Sequence, residues 1–412
     1  MRVLFTTQVF PPERHPTAVM VDELASHLVA RGHEVTVAGG FPHHPGGRLL
    51  DGYRKRLLLE ERRGGVRVVR GWHVTTASPR VAFRAAVMVS QAVGTTMAAL
   101  LAGGKPDVVV SYGPPLVGPL LAAAVARARR APLVTVIYDL YPDIAVETGR
   151  VKNPAVIAAA RWAERRVYAA SDRIVVLSEG FRRTLAARGV EPGKVEIVPV
   201  WLDPAEVRPA ARENAWRTEQ AIPPGTFVVL YAGTIGIVSG AEVMVEVADR
   251  LRGEPDLLFL FVGEGQVKAA IEEATRARGL PNVRFLPLQD RARLGEVQAT
   301  ADLSVVTLAP GRARTSVPSK VVGYLAAGRP VLASVDEDSD TAACVRAGPC
   351  GVVVPPADAA GLAEALLALK RDPQRRAALG GTGRATFERD FAAPAVLDRF
   401  ASLLERVAEG RA

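Results

Sequence analysis

The feature that most constrains this chain is an alternation of short, wholly apolar runs with helix-patterned segments. RVLFTTQVF is the first run and ends at the Pro11-Pro12 turn. TAVMVDELASHLVARG follows, with Val21, Leu24, Ala25, Leu28 and Val29 at the spacing of one helical face. Gly32 stands where a helix C-cap glycine belongs. HEVTVAGG, DVVVSYG, APLVTVIYDLY and RIVVLSEG continue the series. Strands this apolar are covered on both faces, so the pattern predicts a parallel sheet between layers of helices. It restarts near residue 226 with TFVVLYAG, then LLFLFVGEG, NVRFLPL, LSVVTLAP, PVLASV and GVVVP. Two doubly wound α/β domains are therefore predicted, 1–205 and 206–393. The proline-rich, polar stretch Pro199 to Pro224 reads as the linker. A helical tail, 394–412, carries the stripe Val396, Leu397, Phe400, Leu403, Leu404 and Val407.

Two open parallel sheets joined by a linker predict a cleft, with ligands outside the carboxyl ends of the strands. The loops after Phe10, Gly40, Gly113, Tyr138, Gly233, Gly263 and Leu308 are then the ones to inspect. Charge separates the halves. Residues 1–200 hold 27 Lys and Arg against 16 acids, a balance of +11, and the rest of the chain balances at −2. A basic first half attracts phosphates or an anionic membrane. RNP-like aromatic patterns and helix-turn-helix cues are absent, so nucleic acid is not an expected partner. Cys344 and Cys350 lack zinc-site spacing and fit a reducing, cytoplasmic setting. The apolar run at Met1 is too short for a secretory signal. The uncharged stretch Ala85 to Gly104 has Ser90, Gln91, Thr95 and Thr96 in its middle, so it reads as a buried or interfacial helix rather than a span.

Several loops carry chemistry. In YAGTIGIVSGAE, Gly233, Gly236 and Gly240 permit close backbone approach beside a helix N-terminus, which suits phosphate. The spacing is neither a dinucleotide fingerprint nor a P-loop. Gly263-Glu264-Gly265 is a tight turn able to receive a nucleotide. In RARTSVPSKVVGYLAAGRPVLAS, Pro318 and Ser319 precede a helix with Lys320 at its start. A lysine there opposes the helix dipole, a local cost that a docked anion reverses. Arg312 and Arg314 stand just upstream as further clamp residues. In the first half, IYDLYPDIAVETG offers Asp139, Asp143 and Glu147 for proton transfer or hydroxyl binding, with Tyr138 and Tyr141 as stacking surfaces. Arg14 and His15 fall in the loop after the first strand. His43 and His44 follow the second, without the carboxylates or cysteines that would define a metal site.

Taken together, FTTQVFPPE, LVARGHEVTV, YDLYPD, LYAGTIG, FVGEGQ and SVPSKVVGYLAAGRPVLAS resemble the retaining glycosyltransferases of family 4, which have the two-domain GT-B fold. The nearest subgroup looks like the bacterial transferases that build O-antigen, capsule and exopolysaccharide, aminosugar transferases among them. The resemblance implies two Rossmann-like domains facing a cleft, with the tail helix crossing back to the first. It implies a donor site at Gly233, Thr234, Gly263, Glu264, Gly265, Leu286, Pro287, Ser319 and Lys320, to which the residues themselves add Gly236, Arg312, Arg314 and Pro318. An acceptor site would draw on Arg14, His15, Tyr138 and Asp143. Asp139, Lys320 and Glu147 are the candidate catalytic groups. Asp139 stands where many relatives place a histidine, and the subgroup resembled has aspartate. Two departures are clear. The two glutamates usual before the A-x-G-x-P-V segment are replaced by Thr315 and Gly323, and His15-Pro16-Thr17 replaces the usual paired glycines after the first strand.

The implied reaction is sugar transfer from a nucleoside diphosphate sugar, UDP favoured, to an acceptor glycan or lipid-linked sugar. Protein cations would replace a metal, so no metal or cofactor is expected. The setting would be cytoplasmic, peripheral on the inner face of an anionic membrane. Three other readings stay open at this level: glycosylation of a soluble small molecule, a nucleotide-sugar 2-epimerase, and an anionic-ligand-binding protein without chemistry.

Overall fold

The computed structural model describes residues 1–78, 80–147, 149, 151–311 and 319–410, apart from the side chains of Val81 and Glu147. The chain forms two compact units. One comprises Met1–Val198 with Leu397–Ala412, the other Pro199–Val396.

Unit 1 is built on eight strands: β1 (Arg2–Thr6), β2 (Glu34–Gly40), β3 (Leu58–Arg63), β4 (Val66–Gly71), β5 (Val108–Gly113), β6 (Leu133–Ile137), β7 (Arg173–Val176) and β8 (Val195–Ile197). Their order is β3-β4-β2-β1-β5-β6-β7-β8, with every pairing parallel except β3 on β4. β1 ends at Thr6, short of the run that reaches Phe10 in sequence. Thr7 N–H still bonds Ala38 C=O at 3.1 Å, and the chain then leaves the ladder. The β3–β4 hairpin lacks an unbroken apolar run in sequence, since Glu60, Glu61, Arg62 and Arg63 fill most of β3 and Arg67 and Arg70 interrupt β4. It turns through Gly64 and Gly65, both at positive φ (54° and 85°), the conformation of a tight two-residue hairpin loop. Helix α1 (Pro16–Ala30) buries Val21, Leu24, Ala25 and Leu28, as its spacing requires. Helix α2 (Val81–Leu101) packs on β2 and β4.

Unit 2 holds β9 (Phe227–Ala232), β10 (Leu257–Val262), β11 (Val283–Leu286), β12 (Leu303–Thr307), β13 (Val331–Ser334) and β14 (Gly351–Val354), in the parallel order β11-β10-β9-β12-β13-β14. Strands β9, β10, β12 and β13 are buried along their whole length, which explains their unbroken apolar sequence. The stretch from Pro199 to Pro224 is not a free linker. Trp216 is 1% exposed and its indole N–H donates to Gln289, while Val207 and Ile222 join the same core. Three large apolar residues outweigh the proline-rich composition around them.

In each sheet the chain runs outward in one direction, then returns to the other side of the first strand. The reversal lies between β1 and β5 in unit 1, and between β9 and β12 in unit 2. Crevices at such points are where open α/β sheets bind ligands. The Ala393–Ala408 helix enters unit 1 at Leu397. There Asp398 pairs with His27 and Arg31 (both 3.0 Å), and Glu405 pairs with Arg31 at 3.0 Å and His33 at 2.9 Å.

Candidate active site

In unit 2 the carboxyl ends of β9 and β10 run into one another. Gly233 N–H bonds Val262 C=O at 2.9 Å and Ile235 N–H bonds Glu264 C=O at 2.9 Å, so the ladder continues into the loops. This contact demands glycine. A Cβ on Gly263 would sit 2.0 Å from Gly233 O, and one on Gly265 would sit 2.1 Å from Ile235 O. Gly236 differs. Its φ is −104°, and the nearest atom a Cβ would meet is Thr234 Cγ2 at 3.7 Å. Packing gives no reason for glycine there.

Lys320 opens the Ser319–Ala326 helix after β12. Its stem lies against Gly233, whose absent Cβ would meet Lys320 Cε at 3.0 Å. Its ammonium stands 5.0 Å from the centre of the Tyr231 ring, a cation–π contact that holds the charge without neutralising it. One turn on, buried Tyr324 accepts from Ala232 N–H at 3.1 Å and donates to Val305 C=O at 3.1 Å. That hydroxyl pins the helix to both strands of the reversal point. Sequence reasoning missed Tyr324; the buried i, i+4 position after Lys320 was the available signal.

A cavity of about 430 Å³ opens at this point. Gly233, Thr234, Ser319 and Lys320 line it, together with Gln289, Asp290, Arg291 and Gln298, which sequence reasoning did not name. Gly236, Gly263, Glu264, Gly265, Leu286 and Pro287 are not in its wall. Glu264 is ion-paired with Lys268 at 2.8 Å, and Leu286 packs against the core. Exposed Leu288, next after Pro287, lines the cavity instead. Arg312, Arg314 and Pro318 lie outside the described residues.

In unit 1, Asp139 follows β6 by two residues and is half-buried. Burial raises its carboxyl pKa above the ordinary aspartate value. Tyr138 packs edge-on against Tyr112, with ring centres 5.5 Å apart, and burial pushes its hydroxyl well above the usual pKa. It is therefore a neutral hydroxyl. Asp143 forms ion pairs with Arg161 and Arg188, which also hold Glu164, so its charge is already matched. Glu147 ends the short helix Asp143–Glu147.

The β1–α1 loop carries a network that sequence reasoning did not find. Glu13 is 2% exposed and accepts three backbone N–H bonds, from Phe10 (3.2 Å), His43 (3.0 Å) and His44 (3.0 Å). It ties the loop after β1 to the loop after β2. Arg70, fully buried, bonds Glu61, Gly40 C=O and Pro11 C=O from beneath. Arg14 is exposed; His15 caps α1 by accepting from Thr17 N–H at 3.2 Å. These loops and α2 enclose a second cavity, of about 380 Å³, lined by Gln8, His15, His43, His44, Arg84 and Gln91 among others. The rings of His15 and His44 meet at 5.0 Å, and those of His43 and His73 at 4.8 Å. Burial lowers the pKa of His15, His43 and His73, so these imidazoles are neutral at pH 7. The buried Nδ1 of His44 and amide nitrogen of Gln8 have no hydrogen-bond partner among the described residues. Also among the described residues, no three His, Cys, Asp or Glu groups are placed to hold a metal ion.

Known proteins share this organisation. Residues 17–201 match the family described as glycosyl transferase 4-like domain, and residues 226–372 match glycosyl transferases group 1. The chain is 29% identical over 335 residues to a putative colanic acid biosynthesis glycosyl transferase, WcaI, of Escherichia coli strain K12, covering 80% of this chain and 82% of that one. It is 30% identical over 362 residues to D-inositol 3-phosphate glycosyltransferase 1 of Catenulispora acidiphila, covering 82% and 81%. Among solved structures, Anabaena HepE in complex with UDP superposes with a TM-score of 0.70 at 14% identity, covering 98% of this chain and 100% of the other.

Proposed function

Because the chain belongs to the group 1 glycosyltransferases, we propose that it transfers a sugar, with retention at the anomeric carbon, from a nucleoside diphosphate sugar to a glycan acceptor. UDP is the favoured nucleotide, in keeping with the ligand of the Anabaena relative. The single observation that carries the donor side is Lys320. It is a cation held at the wall of the β9/β12 cavity by Tyr231 and Gly233, at the start of a helix whose free N–H groups face anions. Charge grows on the leaving diphosphate as the glycosidic bond breaks. Donors fixed in place for that charge are the largest single contribution a protein makes to such a reaction. The reading assigns this task to Lys320 and the helix start, without a metal ion or cofactor. Ser319 and Thr234 supply hydroxyls beside it.

On the acceptor side, the reading assigns Asp139 to the incoming hydroxyl. A carboxylate whose pKa is raised by burial holds a proton more readily than an exposed one, as a proton acceptor must. The histidine-lined cavity presents neutral imidazoles and amides, which pair with hydroxyl groups as donors and acceptors alike. That chemistry fits a sugar acceptor. The E. coli relative's name points to polysaccharide synthesis, and a lipid-linked glycan on the inner face of the cell membrane is the acceptor class proposed.

A thermal-shift panel of UDP-, GDP-, dTDP- and ADP-sugars tests the donor. The true donor at a hundredfold excess over its Kd stabilises the fold by ~2.7 kcal/mol. Equal, negligible shifts across the panel, in protein that is folded, would overturn the reading.

A further inference from the structure

Helix α2 carries its apolar residues on the wrong side for a helix covered only by its own domain. Its buried positions include Gln91, Ala92, Thr95, Ala98 and Ala99, which are small or polar. Its exposed positions include Phe83, Val89, Val93, Leu100 and Leu101, with Val89 50% and Leu101 60% exposed. Surface helices normally show the reverse distribution. The patch continues beyond the helix. Leu57 is 65% exposed, and its carbonyl accepts from the N–H of exposed Trp72 at 3.0 Å. The carbonyl of Trp72 in turn lies 2.1 Å from where a Cβ on Gly94 would stand, which places Trp72 against the middle of α2.

The helix is long and apolar enough to cross a membrane by length and composition. Its inner face argues against crossing. Gly94 and Gly71 meet so closely that a Cβ on Gly71 would sit 1.9 Å from Gly94 O, and the Gln91 amide donates to Gln8 C=O at 2.6 Å. These contacts lock α2 to the sheet and leave only one side for a partner.

Charge identifies that partner. Residues 72–130 contain six Lys and Arg and one acid, Asp107, which is paired with Arg2. Arg80 and Arg84 stand exposed at the start of the helix and Lys105 just beyond its end. Exposed Arg54, Lys55 and Arg56 lead into Leu57. The nearby acids Glu60 and Glu61 are occupied by Arg67 and Arg70, which removes those two arginines from the basic surface expected from sequence. An apolar stripe with cations at both ends fits an anionic bilayer, where the stripe enters the acyl region and the cations remain among the headgroups.

We propose that the outer face of α2, with Leu57 and Trp72, docks in the plane of an anionic lipid membrane. Arg84, Val87, Met88 and Gln91 of the same helix line the histidine cavity, so docking sets the rim of that cavity at headgroup level.

Vesicle sedimentation tests the proposal independently of sugar transfer. The protein should pellet with vesicles of phosphatidylglycerol and phosphatidylcholine, and much less with phosphatidylcholine alone. Added salt should weaken the binding. Acyl-brominated lipid should quench the emission of Trp72, a signal that W72F removes. V89E/V93E should lower binding more than tenfold, and neutralising Arg54, Lys55 or Arg56 should lower it about fivefold each. The donor-dependent thermal shift should survive in every variant. Loss of that shift in the native protein would sink the donor reading and leave the docking face intact. The proposal is overturned if the native protein ignores anionic vesicles at low salt. It is also overturned if V89E/V93E instead converts a dimer to a monomer, or if binding resists an alkaline carbonate wash as a crossing helix would.

Discussion

The two units share a sheet plan but build their candidate sites from different materials. Unit 2 shapes its cavity with backbone: Gly263 and Gly265 let one loop lie on another, and Lys320 stands over the junction. Unit 1 shapes its cavity with side chains: buried Glu13 and Arg70 bridge loops, and four histidines form the lining and its support. A backbone-built site tolerates little change of residue size. A side-chain-built site is instead sensitive to charge and protonation.

The comparison is sharpest at the two candidate catalytic groups. Asp139→Asn is expected to lower turnover by about 10²–10⁴, the usual range for a lost proton acceptor. It should also raise the melting temperature. The folded carboxyl has its pKa raised by burial, so the charged form is disfavoured by folding at any pH above the unfolded value of about 3.9. The neutral amide removes that cost. Steady-state kinetics and thermal melts on the same variant check both parts, and native turnover would mark Asp139 as structural. Lys320→Ala should lower kcat/KM by about 10²–10³, or 2.7–4 kcal/mol, by analogy with a lost oxyanion donor. Unchanged kinetics in a folded variant would remove Lys320 from the mechanism.

Within unit 2, the glycines separate shape from ligand. Gly263→Ala forces a Cβ into Gly233 O at a φ of +155°, and should cost about 2–4 kcal/mol of stability. Gly236→Ala makes only an ordinary contact with Thr234 Cγ2, at 3.7 Å, at a φ any residue adopts, and should leave the protein equally stable or up to about 1 kcal/mol more stable. If Gly236 is small to admit the donor, the same variant should raise the donor Kd about tenfold, some 1.4 kcal/mol. Calorimetric melts and donor titrations distinguish the two glycines. Native donor affinity in Gly236→Ala would leave that glycine without a ligand role.

What was legible in the sequence follows the same division. Strands β9, β10, β12 and β13 of unit 2 could be read because each is buried along its whole length, and burial of that kind writes an unbroken apolar run; β11 and β14 are only partly buried but keep enough apolar residues to be read as well. The β3–β4 hairpin could not, since LLEERR lies at the sheet edge, where charges are tolerated, and Arg67 and Arg70 interrupt the buried valines of β4. Pro199 to Pro224 misled because composition is an average, whereas packing there depends on Val207, Trp216 and Ile222. Gly233, Thr234, Ser319 and Lys320 could be placed at one cavity because strand ends at a reversal point converge by topology. Glu13 could not be singled out. Its three partners lie in two separate loops, and one carboxylate after a pair of prolines looks like any exposed turn acid until the fold is known.

The smallest expected effect concerns protonation in unit 1. His15, His43 and His73 have folded pKa values below the ordinary histidine value, chiefly through burial, with repulsion from His44 adding to it at His15 and His43. The unfolded chain takes up these protons near pH 6.5, while the folded chain takes them up only at lower pH. Between those limits the unfolded state binds more protons, so stability falls as pH is lowered through 6.5 and stops falling once the folded imidazoles are charged. Above about pH 7 both states are neutral there and this contribution is flat. Unit 2 has no histidine, so nothing comparable arises in it. Urea melts between pH 5 and 8 should show the decline, and H43N/H73N should reduce it to the part that His15 contributes, with a lower midpoint at pH 8 because two largely buried, hydrogen-bonded rings are shortened. The paired variant is the better choice because each ring packs on the other and both bond Phe41 C=O, so a single change would leave the second imidazole in an altered pocket. A pH slope that survives undiminished in H43N/H73N would mean that the decline comes from groups other than these two imidazoles. Protonation of this pair would then no longer set the unit 1 cavity apart from the one in unit 2.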